Sequence, residues 1–465
     1  MSDPRARPSR RAGRTPADPP REAAYDVLAA IREKDSYANL VLPPLLRSRG
    51  ITGRDAAFAT ELASGTVRRL GSYDAVIAAC VDRPLAEVDA PVLDALRLGT
   101  HQLLAMRVPS HAAVGTTVDL VRSKVGHGPA GFVNAVLRKV AAHDLAGWIR
   151  RVAPDPGTDP VGFSSVAYSH PRWVVSAFTA ALGDDAGQLD SLLAADNVAP
   201  KVTLAARPGL STVEELVVAG GTASSLSPYA VQLSSGDPGE VAAVREGRAG
   251  VQDEGSQLVA AAFAGAPLAG RDTRWLDLCA GPGGKSALLA ALAGQRGARL
   301  LASERLEHRA ALVAGATSRS GAGLLGVLSA DGTRPAWRAG SFDRVLVDAP
   351  CTGLGALRRR PEARWRGTPG DIGQLVGLQR ALLGSALDSV RPAGLVAYVT
   401  CSPVLAETSG VVSAVLAERD DVRLDDASPL FASLPQCEGP MPGTVQLWPH
   451  RHGTDAMFLA LLRRG

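Results

Sequence analysis

No uninterrupted run of about 18 apolar residues occurs in the 465-residue chain, so no transmembrane helix is expected. The first stretch, Met1 to Glu22, also lacks an apolar core segment. Its wealth of Arg and Pro excludes a secretory signal and predicts a disordered basic arm over residues 1–20, either a solvated leader or an RNA-touching tail. Cysteine is scarce: five residues, an odd count, with no C-x-x-C pair. That excludes a disulfide framework and a zinc site and predicts reduced thiols in a cytoplasmic protein that holds no metal. Excess charge of one sign is slight, at +4, which permits a nucleic-acid partner without requiring one. What is present is ample core material, 46% hydrophobic against 21% charged residues, enough for two or three domains in a monomer.

Strand-like alternation is missing from Arg21 to about Asp144, and apolar residues recur instead at helical spacing. Ala24–Ile31 and Ala90–Gly99 are examples, the second with Pro91 at a helix start, where a missing N–H costs nothing. The expectation is an all-α bundle over residues 21–145. Asn39-Leu40-Val41-Leu42, Asp55–Leu62 followed by Gly65-Thr66-Val67-Arg68-Arg69, and Gly131–Arg138 resemble the NusB antitermination-factor family, whose members bind RNA or other proteins. Arg68, Arg69, Arg122, Lys124, Arg138 and Lys139 are then either a phosphate-facing patch or the solvated face of a bundle. Residues 145 to about 160, with Ala153-Pro154-Asp155-Pro156-Gly157, have linker composition. From 160 to 265 a helical opening at Tyr168–Val175, a strand at Lys201–Arg207 and further short elements indicate a small α+β subdomain.

From about Arg271 strand and helix alternate. Candidate strands are Thr273–Leu278, Arg299–Ser303, Leu324–Ser329, Arg344–Val347 and Gly394–Thr400, followed by edge segments at Thr444–Trp448 and Ala456–Leu462, one of them antiparallel. Continuous Val/Leu runs mean strands covered on both faces, hence a mostly parallel, Rossmann-like sheet over residues 266–465. Such sheets bind ligands at the carboxyl ends of their strands. The first strand runs into Cys279-Ala280-Gly281-Pro282-Gly283-Gly284-Lys285. This is not a Walker loop, which needs four residues before its Gly-Lys pair, nor G-x-G-x-x-G, because Ser286 stands where the last glycine belongs. A nucleotide-like ligand without an obligatory pyrophosphate fits, and S-adenosylmethionine is one.

The other strand ends are also polar. Glu304 closes the second strand, where an acid accepts hydrogen bonds from ribose hydroxyls, unless it is only a surface acid at a helix start. Asp331, after the third, meets an adenine edge or simply makes a turn before Gly332. The fourth ends Asp348-Ala349-Pro350-Cys351 and the fifth Thr400-Cys401-Ser402. One cysteine is usually a small buried hydrophobe. Two at neighbouring strand tips, beside an acid and a cofactor loop, indicate chemistry. Cys80 and Cys437 have no such company and are read as packing residues, and Cys279 as a backbone contributor to the loop.

Leu278–Lys285, Asp348-Ala349-Pro350-Cys351-Thr352-Gly353 and Thr400-Cys401-Ser402 together resemble the RNA (cytosine-C5)-methyltransferases of the Sun/nucleolar-protein type. With its NusB-like front end the chain is similar to the bacterial small-subunit rRNA (cytosine-C5)-methyltransferase B family. The resemblance implies a class I methyltransferase domain, S-adenosylmethionine as cofactor, 16S rRNA as partner and an RNA-facing role for the α+β subdomain. It also implies Cys401 as the nucleophile that adds to cytosine C6, Asp348 as the group stabilising charge on the ring, and Cys351 as the thiol assisting release. Arg358, Arg359, Arg360, Arg364 and Arg366 would hold flanking phosphates, unless that run is a solvated loop. Lys285 would help activate Cys401 or only cap its helix. Departures are Thr352, where serine is common, and a variable closing segment, Trp448–Asp455, which leaves His450 and His452 without a role. A NusB-like binding module with a dead methyltransferase fold should lack the thiols, Asp348 or the loop. A nicotinamide dehydrogenase should carry G-x-G-x-x-G. A cytosine methylase of tRNA or another rRNA site remains a rival within the class.

Overall fold

Residues 18–465 are described by the structure, a computed structural model; the expected arm falls outside them up to residue 17. The chain divides between Ser169 and His170 into two compact units.

The first unit is all helical, and its centre is the helix Ala90–Leu104, which buries Val92, Leu96 and Leu98 among Leu28, Leu62, Val121 and Leu137. Gly99 allows that approach: a Cβ there would stand 2.7 Å from Leu137. Residues 145–152, of linker composition, instead form a helix, because the Asp144 side chain caps Gly147 N–H and Trp148 inserts into the bundle core. The expected basic patch is largely paired. Arg68 is buried near Glu61, Lys124 bonds Asp26 at 2.9 Å and Arg122 bonds Asp119.

In the second unit a small antiparallel sheet comprises β1 (Thr203–Ala206), β2 (Gly221–Ala223), β3 (Ala230–Leu233) and β4 (Ala249–Val251), in the order β2-β3-β1-β4. The large sheet holds β5 (Arg274–Asp277), β6 (Arg299–Glu304), β7 (Leu324–Ser329), β8 (Phe342–Asp348), β9 (Val390–Thr400), β10 (Val422–Asp425) and β12 (Phe458–Arg464), with β11 (Val445–Gln446) beside β12. Its order is β10-β12-β9-β8-β5-β6-β7, with β5 to β9 parallel and the last three strands antiparallel to their neighbours. The chain winds outward from β5 to β7 and returns to β8 on the other side of β5, so the crevice opens between β5 and β8. This is the expected Rossmann-like sheet, extended by β10, which composition did not reveal, and with the Thr444–Trp448 segment shortened to two paired residues.

The amino ends of these strands carry charge of a different purpose. Fully buried Asp343 accepts the N–H groups of Thr273 and Arg274 and the guanidinium groups of Arg271 and Arg391, at 2.8–2.9 Å. Burial alone would raise its carboxyl, but those donors overcome it and hold the pKa below the ordinary value. A depressed carboxyl stabilises the fold above its unfolded pKa of about 3.9 and loses that contribution as pH falls. Asp343→Ala is therefore expected to cost ~3 kcal/mol at neutral pH, the penalty for stranding buried donors, and progressively less in acid, read from urea midpoints across pH.

Candidate active site

The glycine loop is shaped by what surrounds it. Gly283 adopts φ 109°, and a Cβ on it would meet that of Ala316 at 2.7 Å, so only glycine fits on both counts. Gly281 N–H donates to Glu304 Oε2 at 3.1 Å, Arg309 donates to Gly281 O at 2.8 Å, and Leu306 N–H donates to Glu304 Oε1. Glu304 thus ends β6 directly beneath the loop. A Cβ on Gly281 would lie 2.2 Å from its carboxylate. This bare backbone cradle, with an acid on one side and the helix Gly284–Gln295 opening on the other, fits a nucleoside ligand bearing a ribose and little negative charge. Asp277, at the end of β5, is buried and accepts Ser286 Oγ–H at 2.6 Å; burial pushes its carboxyl up to about 7. Asp331 lies half-buried after β7. The Thr333 N–H, and then its hydroxyl, hold its carboxyl below the usual range.

Lys285 does not cap its helix. Its ammonium donates to Asp348 Oδ2 at 2.9 Å. Burial works against the lysine charge, but Asp348 more than offsets it and raises the pKa.

Asp348 pairs with Val399 across β8 and β9, and just beyond this pair the two thiols emerge side by side, Cys351 Sγ 3.5 Å from Cys401 Sγ. Gly355 ties the two tips: its N–H donates to Cys401 O at 2.9 Å, and a Cβ there would meet Ala456 O at 2.1 Å. The pair is electrostatically unequal. The hydrogen bond from Cys351 lowers the Cys401 pKa below the ordinary thiol value, against burial and Asp348 and with help from Lys285 and Arg360. Cys351 moves up, first by that same bond and then by burial. Cys401 is therefore the more acidic sulfur of the pair. Replacing Lys285 by Met removes one of the charges holding Cys401 down. The pH dependence of Cys401 alkylation by iodoacetamide is expected to shift to higher pH.

The arginine run needs correction. Arg358 and Arg359 point inward to Asp253 and Asp455, Arg359 at 2.5 Å from Asp253. Arg364 is fully buried and donates to Asn197 Oδ1 and Asp196 O. These contacts join residues 196–253 to the sheet, with Arg358 and Arg364 buried and Arg359 half-buried. Arg360 is half-buried, and its charge reaches Cys401. His450 Nε2 bonds Gln188 Oε1 at 3.0 Å, and burial pushes its pKa down to about 4. His452 accepts Trp448 N–H on Nδ1 and faces Pro435 O through Nε2, so both histidines serve the closing segment's structure. Among the described residues no group of three or more His, Cys, Asp or Glu could hold a metal. Sequence reasoning missed Glu407. It is fully buried and bonds both thiol-bearing tips; its only sequence signal is an acid inside the apolar segment Val404–Thr408.

Residues 267–463 match the family of the 16S rRNA methyltransferase RsmB/F, and residues 18–142 match the NusB family. Rv1407 of Mycobacterium tuberculosis (strain ATCC 25618 / H37Rv), whose name commits only to a methyltransferase, is 54% identical over 98% of this chain and 99% of that protein. The ribosomal RNA small subunit methyltransferase B of Pseudomonas putida is 32% identical over 95% of this chain and 98% of its own. The crystal structure of PH0851 covers 97% of this chain and 100% of its own at TM-score 0.79 and 22% identity, which shows a common fold. With a relative this similar along nearly its whole length, and with the glycine cradle and strand-tip groups in place, the chain belongs to the RsmB/F family of S-adenosylmethionine-dependent methyltransferases.

Proposed function

We propose that the protein methylates C5 of a cytosine in small-subunit rRNA in the cytoplasm, through a transient bond between Cys401 and C6. The observation that carries this is the pair of unequal thiols 3.5 Å apart, beside the Lys285–Asp348 pair. C5 of cytosine is too weak a nucleophile to attack a methyl group unaided. A thiolate adding to C6 turns C5 into an enamine-like carbon, and Cys401 is the more acidic sulfur of the pair. Asp348, protonated or hydrogen-bonding near N3 and the exocyclic amine, steadies the charge that develops on the ring, with Lys285 on its other side. Residues 279–285, Glu304, Asp331 and Asp348 hold S-adenosylmethionine, which supplies the methyl group. The C5 proton then passes to solvent water, its electrons form the C5–C6 double bond, and the C6–S pair returns to Cys401 as it departs, a step that Cys351 assists. The target base must be unstacked or single-stranded to reach the thiol. Of the arginine run, the half-buried Arg359 and Arg360 are assigned to the flanking phosphates. The NusB-like residues 21–145 and the subdomain 160–265 present RNA to the catalytic domain of a monomer. The names of curated relatives support rRNA over tRNA.

Bisulfite sequencing of 16S rRNA from a deletion strain tests the proposal. One cytosine is expected to lose its protection and regain it with the intact gene. Unchanged protection throughout the 16S rRNA would overturn the rRNA assignment.

A further inference from the structure

Glu407 lies in the tight turn Leu405–Glu407 after β9, with no exposed surface. Its Oε1 accepts Thr352 N–H at 2.8 Å and Gln379 Nε2 at 3.1 Å; its Oε2 accepts the hydroxyls of Thr352 and Ser402, both at 2.6 Å. Thr352 follows Cys351 and Ser402 follows Cys401, so one buried carboxylate is bonded to the neighbour of each thiol. We propose that Glu407 is a positioning residue for the reaction: it clamps the Cys351 loop to the Cys401 tip and so places the second thiol for release of the RNA adduct. The proposal rests on the thiol roles given above.

The two tips depend on this clamp unequally. Cys401 continues directly from β9, and its carbonyl is also held by Gly355 N–H. Residues 349–353 belong to no helix or strand. Of the four bonds to Glu407, two come from Thr352, and a third comes from Gln379, which also holds Pro350 O at 2.8 Å. Loss of the carboxylate therefore displaces Cys351 more than Cys401. Adduct formation should survive while release fails.

Glutamine can replace the clamp. Its oxygen would accept from Thr352 N–H and Gln379, the fixed donors, and its amide would donate to the two hydroxyls, which can rotate to accept. Alanine leaves four buried donors without their acceptor.

The test compares E407A, E407Q and the unmodified full-length protein in three measurements: turnover on RNA, covalent adduct surviving denaturing gels, and closure of a Cys351–Cys401 disulfide by diamide. In the last, the two thiols give up two electrons and two protons to the azo group, so its rate reports their spacing without any RNA. E407A is expected to turn over about 100-fold more slowly, the usual penalty for a misplacement near 1 Å, to accumulate adduct, and to close the disulfide more slowly. E407Q should resemble the unmodified protein in all three. Wild-type turnover in E407A, or damage in E407Q as deep as in E407A, overturns the proposal. Should E407A fail to fold, T352A, which removes one of the loop's bonds, is read in the same way; adduct accumulation supports the clamp and normal release overturns it. A disulfide that closes equally fast in E407A and the unmodified protein overturns the spacing role whatever happens to RNA. A slowed disulfide in E407A, in a protein whose unmodified form methylates no cytosine, sinks the cytosine assignment and leaves the spacing role standing.

Discussion

Cys401→Ala is expected to lower methyl transfer by on the order of 10⁴-fold or more, as removal of a covalent nucleophile does, while S-adenosylhomocysteine still binds. The two outcomes separate because the sulfur and the cofactor cradle lie on different strand ends. Cys401 follows β9, whereas residues 279–285 follow β5, with β8 between them. The loop's own contacts, to Glu304, Arg309 and Asp348, involve no atom of Cys401. Cys351 does not take over the attack, since it stands on the loop after β8 rather than at the tip of β9, and burial raises its pKa even without the bond to Cys401. Methyl incorporation into RNA and calorimetric titration with S-adenosylhomocysteine read the two halves separately. A Cys401→Ala protein with normal turnover would remove this residue as nucleophile.

The central sheet was legible because its strands are short Val/Leu runs bounded by glycine or charge, and local pattern suffices for that. The chemistry at their ends was legible for a related reason. An acid or thiol directly after a buried strand sits at a carboxyl end by topology alone, which places Glu304, Asp348, Cys351 and Cys401 near one crevice before any coordinate is seen. What remained hidden depended on partners far away in sequence. Arg358 and Arg359 look like nothing more than a phosphate-binding run until Asp253 and Asp455, roughly a hundred residues away on either side, are brought against them. Arg364 likewise finds Asn197. Glu407 is one acid in an apolar turn, and nothing local reveals that residues 352 and 379 converge on it. The helix 145–152 was obscured differently: Asp144 and Trp148 carry its signal, but the proline-rich residues just after it dominated the composition.

Cys351→Ala is expected to trap the reaction one step later, as an RNA–protein adduct that survives denaturing electrophoresis, with turnover falling by about 100-fold or more, the scale of one lost proton-transfer group. The physical reason is the inequality of the pair. With Cys401 bonded to C6, the neighbouring sulfur at 3.5 Å is the thiol placed beside the bond that must break, and burial still favours its neutral form. Alanine also deletes the hydrogen bond that most lowers the Cys401 pKa, so attack at C6 slows, but Lys285, Asp348 and the glycine loop remain and methylation at C5 proceeds until each enzyme molecule has consumed one RNA. The adduct should therefore approach one RNA per protein, carry the transferred methyl group, and disappear when Cys401 is also replaced. A Cys351→Ala protein that releases methylated RNA at the normal rate, with no retarded band, would show that departure of Cys401 needs no second sulfur.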